Sequence, residues 1–227
     1  MAAVLVAFGC AFATETPPGD SDTAHSASLA GVKRWEDATP ADLSADATYL
    51  LPGYIDGDIT FDNLRRRFGA KNVREADIDG AEGETAKGIV LFADDPLRRV
   101  ELFIRDEKRH RGISEIRVTG ERSRWHFANG LKLGMTLDAL AALNGKPVTY
   151  SGLDWDYGGA ISDWNGGRLA QRDEEFPARS VSLNHRESAS GYPIGEGDYL
   201  SDDKKYPNAG KVLFVGELRV AFKGDDD

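Results

Sequence analysis

The stretch ITFDNLRRRFG at residues 59–69 has a counterpart, MTLDALAALNG, at residues 135–145. The interval is 76 residues both from threonine to threonine (136 − 60) and from glycine to glycine (145 − 69). In each copy a threonine can cap a helix, an aspartate two residues later suits the positive end of the helix dipole, and a glycine can end the helix. Each copy therefore predicts a short helix, which in the first copy covers about Phe61 to Phe68.

Apolar residues on either side of each cap favour the same helix. Ile59 with Leu64, and Met135 with Leu140, occupy the two positions of a hydrophobic staple. A helix of little more than two turns is not stable alone, so each helix must pack on other elements. The same roles recur in one register, which indicates a duplicated structural unit.

Apolar runs after each helix predict β-strands. They lie at 88–92, 100–104 and 113–118 after the first helix, and at 148–150, 155–161, 181–183, 212–215 and 218–222 after the second. An acidic loop is expected at 77–84 and a long surface loop at 186–210. The resulting fold class is α+β. We expect two tandem units, 32–130 and 131–224, each a short helix followed by an antiparallel β-meander, with the sheets separate or merged into one.

The first residues predict export from the cytoplasm. Residues 2–12 are continuously apolar, which suits the core of a signal peptide spanning 1–13, and residues 14–31 have the composition of a flexible leader. Cleavage after Ala13 would remove Cys10, the only cysteine. A lipid anchor on Cys10 is the less favoured alternative, because Ala7 and Phe8 fit a lipoprotein motif poorly. The expected location is periplasmic or secreted, without a transmembrane segment.

Net charge narrows the range of partners. The formal charge is −10, and the isoelectric point is about 4.9. A field of that sign repels phosphate backbones and anionic membranes, so nucleic-acid binding is not expected.

The element x-Gly-Met-Thr-x-x-x-Leu-x-x-x-x-Gly around residues 134–145 resembles one in the SmpA/OmlA outer-membrane lipoproteins and in the β-lactamase-inhibitor-protein-like fold. The resemblance covers about a dozen residues per copy. The first copy departs from it, with Ile59 where methionine is expected, and the repeats lack the cysteines of the secreted inhibitors. The resemblance implies a tandem helix-plus-sheet fold that binds protein through its sheet face without catalysis.

Residues 152–167 are the candidate binding segment, because they combine aromatic rings with carboxylates. On a strand, Asp154 and Asp156 would share one face while Trp155 and Tyr157 shared the other. Rings stack on the apolar faces of sugars and carboxylates accept from hydroxyls, so a glycan or peptide site is one interpretation. The alternative is a hairpin whose aromatic side chains fill the core. The predicted binding residues are Asp154, Trp155, Asp156, Tyr157, Asp163 and Trp164.

Catalytic and cofactor chemistry have less support in the sequence. Two carboxylates on one strand face do not flank a scissile bond as a glycosidase requires. Residues 77–84 are a candidate for a weak calcium site, but the acidic spacing does not complete a calcium loop. No nucleophile motif, phosphate loop or cofactor motif is present. We therefore expect an exported non-catalytic binding protein of the cell envelope, whose partner is an unidentified protein or glycan; the alternative is an envelope hydrolase acting on glycan or peptide.

Overall fold

The computed structural model describes residues 49–80, 83–171 and 177–224. The predicted signal peptide, the leader, Cys10 and the beginning of the first unit lie outside these residues. In chain order the elements are β1 (Leu50–Leu51), α1 (Phe61–Phe68), β2 (Val73–Asp79), β3 (Thr85–Leu91), β4 (Val100–Asp106), β5 (Arg111–Thr119), β6 (His126–Phe127), α2 (Leu137–Asn144), β7 (Thr149–Ser151), β8 (Ile161–Asp163), β9 (Ala178–His185), β10 (Asp198–Leu200), α3 (Ala209–Val212) and β11 (Leu213–Ala221).

Both predicted helices are confirmed. The Thr60 hydroxyl accepts a hydrogen bond from the Asn63 amide at 3.2 Å, and α1 covers Phe61–Phe68. Thr136 caps α2 in the same way, and Gly145 ends it in the left-handed conformation, with φ 78°. Local capping chemistry is sufficient to place these helices, because each cap satisfies amide groups that have no partner within the helix.

An antiparallel sheet of six strands joins both halves of the described chain. Its strand order is β2-β3-β4-β5-β11-β9, so strands that follow α1 and strands that follow α2 form one sheet. The two halves meet where β5 pairs with β11, with Val118 opposite Leu218. The fold is therefore α+β with mainly antiparallel pairing, and of the two sheet arrangements expected it has the merged one.

Smaller sheets extend this framework in the described residues. Strands β10, β7 and β8 form an antiparallel sheet, and an isolated bridge between Ala160 and Ser182 connects its β8 end to β9. Strands β1 and β6 pair in parallel.

The strands of the two halves follow each other in a matching order. In the first half β2, β3, β4 and β5 lie side by side in the sheet in chain order. In the second half β7, β8, β9 and β11 also lie side by side in chain order, and the bridge at Ala160 links β8 to β9. Each cap threonine also forms an isolated bridge, Thr60 with Arg111 at the start of β5 and Thr136 with Phe214 near the start of β11. This order agrees with a duplication, which itself stays a prediction.

The helices and one face of the six-stranded sheet bury a shared hydrophobic core. Leu64 of α1 and Leu140 of α2 are fully buried, as are Ile116 of β5 and Leu218 of β11. Burial of such a side chain contributes about 1.5 to 3 kcal/mol. Because side chains alternate along a strand, the same strands place their polar residues on the opposite face of the sheet, which we call the polar face.

Three sequence predictions need correction. The strand expected at 155–161 is wrong: the chain turns between Asp154 (φ 64°) and Gly159 (φ 77°), and only Ile161–Asp163 is extended. Positive φ angles at both ends prevent a continuous strand. The acidic loop at 77–84 is wrong at its beginning, where β2 continues to Asp79. The loop expected at 186–210 contains β10, because Asp198–Leu200 pairs with β7, and α3 begins at its end, at Ala209.

Candidate functional site

An open cavity of about 690 Å³ lies on the polar face, over strands β5, β11 and β9. Strand β9 shows why this face is polar. Val181 and Leu183 point into the core, so the alternate residues Ser180, Ser182 and Asn184 point into the cavity.

Tyr157 is the aromatic side chain most exposed at the cavity. It is 61% exposed although it lines the cavity, and Asp156 beside it is also exposed. Trp155 supports the ring edge-on, with ring centroids 5.6 Å apart, and its indole N–H donates to the Gly152 carbonyl at 2.7 Å. The exposed ring is therefore supported by a half-buried one, which fixes where it stands.

Ion pairs connect neighbouring strands on the polar face. Arg219 of β11 contacts Glu217 at 2.6 Å and Glu115 of β5 at 2.9 Å. Arg117 of β5 contacts Glu101 of β4 at 2.8 Å. Burial raises the pKa of Glu115, and the nearby charge of Arg219 opposes that effect. These pairs link β11 to β5 and β5 to β4 on the polar face, and Glu217 and Arg219 among them line the cavity.

The sequence predicts that Asp154 and Asp156 share one face of a strand, and the structure shows that they do not. The Asp154 carboxylate lies 2.8 Å from the Nε2 atom of His185, at the end of β9. The Tyr192 hydroxyl lies 3.4 Å from the other carboxylate oxygen of Asp154 and 3.1 Å from the same Nε2 atom. None of Asp154, His185 and Tyr192 lines the cavity, and the three side chains form a separate cluster at the base of the Tyr157 turn.

Asp163 and Trp164 serve local structure. The Asp163 carboxylate accepts from the Asn165 amide at 2.6 Å, which closes a turn. Trp164 is half-buried against the core, and its carbonyl accepts from the buried Asn144 side chain at 2.9 Å. Neither residue lines the cavity. Of the six predicted binding residues, the structure thus brings Asp156 and Tyr157 to the cavity, with Trp155 supporting them.

Sequence reasoning missed several residues of this region. Alternation along β9 is a signal that could have identified Ser180, Ser182 and Asn184 as one polar face. His185 and Tyr192 carry no such signal, because they reach Asp154 across 31 and 38 residues of chain.

The described residues contain no group of three or more histidine, cysteine, aspartate or glutamate side chains placed to hold a metal ion. The candidate calcium segment at 77–84 lies partly outside the described residues, and within it Asp77 forms an ion pair with Lys87. Within the same described ranges, no helix is both long enough and apolar enough to cross a membrane.

Comparison with protein-family models, with curated proteins and with solved structures gives no match for this chain. The resemblance to the SmpA/OmlA and β-lactamase-inhibitor-protein-like groups therefore stays an expectation from sequence.

Proposed function

We propose that the protein is exported and acts as a non-catalytic binding protein of the cell envelope, with its ligand in the cavity on the polar face. The observation that carries this proposal is the placement of Tyr157. An aromatic ring that is 61% exposed, yet held by Trp155 at the rim of a cavity of about 690 Å³, has the arrangement of a contact residue.

The chemistry of the lining suits a ligand with hydroxyl and amide groups. Ser180, Ser182 and Thr119 present hydroxyls, which both donate and accept, and Asn184 presents an amide. The Tyr157 ring offers an apolar surface for a sugar face or a peptide side chain. Peptidoglycan carries both kinds of group, and it is the envelope component that we propose as the ligand.

The alternative of an envelope hydrolase has less support. Such an enzyme would need two carboxylates free to act on opposite sides of a scissile bond. Three carboxylates line the cavity, and of these Glu217 is paired with Arg219 at 2.6 Å and Glu121 is paired with Arg186, so Asp156 has no free second carboxylate among the lining residues to act with. Asp154, which would be the second acid of the turn, faces His185 instead of a carboxylate.

A sedimentation assay with purified, insoluble peptidoglycan tests the proposal, using the chain from Thr14 onward. We expect Tyr157→Ala to weaken capture about fivefold to tenfold, since one stacked aromatic ring contributes about 1 to 1.5 kcal/mol. Leu97→Ala is the matched control, because Leu97 is also an exposed apolar side chain (41%) and does not line the cavity. The proposal fails if the wild type is not captured, or if Tyr157→Ala is captured as well as Leu97→Ala.

A further inference from the structure

Backbone hydrogen bonds hold the two ends of the turn that carries Tyr157. On one side, the Leu153 amide donates to the Pro193 carbonyl at 2.9 Å. On the other side, the Gly159 carbonyl accepts from the Leu183 amide at 2.8 Å. Residues 154–158 between these hydrogen bonds form bends and turns without strand pairing. Inside the segment the Gly158 amide donates to the Trp155 carbonyl at 2.9 Å, and side-chain contacts of the segment add to that bond in placing Tyr157.

One such contact is the cluster of Asp154, His185 and Tyr192, which we call the latch. The His185 and Tyr192 rings stack, with centroids 4.5 Å apart and planes inclined by 28°. Tyr192 is buried and the His185 side chain is 20% exposed, whereas the Asp154 carboxylate is 42% exposed. The latch connects the start of the turn to the end of β9. Asp154, at the start of the turn, precedes Tyr157 by three residues (157 − 154).

The geometry of the latch suits a charged imidazole. The Nδ1 atom of His185 lies 3.0 Å from the Arg186 carbonyl, which can only accept, so Nδ1 carries a proton. The Nε2 atom lies 2.8 Å from the Asp154 carboxylate, which accepts when ionised, so Nε2 carries a proton as well. When His185 loses a proton from Nε2, that nitrogen becomes an acceptor and the Tyr192 hydroxyl, at 3.1 Å, can donate to it. The carboxylate then loses both of its donors.

Among the described groups around the His185 imidazole, Asp154 is the charged partner. Tyr192 contributes a neutral hydroxyl from the 186–197 segment, and β11 contributes Leu213, the backbone neighbour of His185. Arg186 follows directly in the chain, but its guanidinium pairs with Glu121 and lies over the Phe214 ring at 5.7 Å.

We propose that protonation of His185 holds the Tyr157 turn in place through Asp154, so that the cavity binds its ligand more tightly when the imidazole is charged. This regulation rests on the proposed binding function of the cavity. The pKa of His185 agrees with it: the hydrogen bond to the Arg186 carbonyl raises this pKa above its ordinary value, partial burial opposes the rise, and Asp154 adds to it. The turn is held in place when the pH is below the raised pKa of His185, and it is released as the pH rises through that pKa.

Amide hydrogen exchange of the ligand-free protein tests the latch without any ligand. We compare protection factors, which remove the intrinsic pH dependence of exchange, at about pH 5.5 and about pH 8, on either side of the ordinary histidine pKa of about 6.5. For the Gly158 amide, which donates to the Trp155 carbonyl at 2.9 Å within the turn, we expect about threefold to fivefold more protection at the lower pH, the range that a partly exposed ion pair supports.

Two variants and a control assign the effect to the latch. In His185→Gln the side-chain amide can donate to Asp154 at any pH, so we expect the pH dependence of protection to disappear. Asp154→Asn removes the charge, lowers the pKa of His185 and gives little pH-dependent protection. His126→Gln is the control, since the Nδ1 atom of His126 also lies near a carbonyl, that of Arg124 at 2.9 Å, and no carboxylate contact is described for this ring. It keeps the wild-type pH dependence.

A binding experiment connects the latch to the proposed binding function. With insoluble peptidoglycan as the probe, wild-type capture is expected to fall about threefold to fivefold between the two pH values, and His185→Gln capture to stay constant. Equal protection of the Gly158 amide at both pH values, or an unchanged pH dependence in His185→Gln, overturns the latch. Absence of capture by any form overturns the proposed function, and leaves the exchange result as an independent finding.

Discussion

Asn144, at the last position of α2, allows a sharp test of how the second half of the fold is held together. It is fully buried. Its side-chain N–H groups donate to the Trp164 carbonyl at 2.9 Å and to the Lys146 carbonyl at 3.1 Å, and its side-chain oxygen accepts from the Leu169 amide at 3.1 Å. One side chain thus supplies partners for three backbone groups that connect the helix to the 164–169 turn.

Replacement of Asn144 by alanine leaves those three backbone groups without their partner. At about 1 to 1.5 kcal/mol for each lost hydrogen bond, the free energy of unfolding should fall by about 3 to 4.5 kcal/mol. For a chain of this length, at about 2 to 4 °C for each kcal/mol, that loss corresponds to a fall in Tm of about 6 to 18 °C.

Tyr150 provides the matched comparison, because it is also fully buried and polar. Within the described residues its hydroxyl has no hydrogen-bond partner. Burial is the main reason that its pKa is raised far above the ordinary tyrosine value. Tyr150→Phe should therefore leave the free energy of unfolding unchanged or increase it by up to about 1 kcal/mol, since the variant removes a buried polar group that forms no bond.

Urea unfolding followed by circular dichroism measures both variants, and equal slopes of free energy against urea show that the unfolding reaction is the same. A loss below about 1 kcal/mol in Asn144→Ala would refute the reasoning, because the three backbone groups would then have found other partners, such as water, at little cost. A loss in Tyr150→Phe as large as in Asn144→Ala would do so too, because it would reveal a bonded hydroxyl.

Three further predictions concern the sheet and the turn. Gly159→Ala should destabilise the protein by more than about 3 kcal/mol in the same urea assay, because an added Cβ would lie 2.3 Å from the Leu183 carbonyl oxygen at a φ of 77°. Arg117→Ala should lower the free energy of unfolding by about 2 to 3 kcal/mol, and the double variant with Glu101→Ala should lose less than the sum of the single losses, as a double-mutant cycle can measure. The pKa of His185 is raised in the folded state, so its contribution to stability is fully present below about pH 6.5 and is lost as the pH rises through the folded pKa; wild-type stability relative to His185→Gln should fall over that range in urea titrations.

Each of these outcomes has a contrary result. Near-wild-type stability of Gly159→Ala would mean that the Leu183 carbonyl can move. Additive losses for Arg117 and Glu101 would mean that their close contact contributes nothing of its own. A pH-independent difference between the wild type and His185→Gln would mean that the pKa of His185 is the same in the folded and unfolded states.

The two helices could be predicted because their signals are local. Thr60 and Thr136 lie three residues from the amides that they cap, so the sequence within one turn contains the whole interaction. The strand expected at 155–161 failed for the opposite reason. Its aromatic residues have a high strand propensity, but Asp154 is held at a positive φ while it contacts His185, far along the chain. A contact of that kind overrides local preference.

The candidate site was predicted only in part. The pairing of rings with carboxylates drew attention to Asp156 and Tyr157, which line the cavity. Asp163 and Trp164 have the same composition but close a turn and pack on the core. Composition does not distinguish Asp156 and Tyr157 from Asp163 and Trp164, because the two pairs differ in the strand that lies beneath them. That depends on the pairing of β9 with β11, between residues about 35 positions apart.

The pairing of β5 with β11 also has a consequence for any fragment of this protein. Each of these long strands has the other as a neighbour, so a fragment that ended near residue 130 would leave one side of β5 as a bare edge of unpaired amides and carbonyls. Such edges associate with other chains. We expect the fragment to pair with a second copy of itself or to aggregate, and proteolytic nicking between the halves to leave two pieces that stay bound to each other.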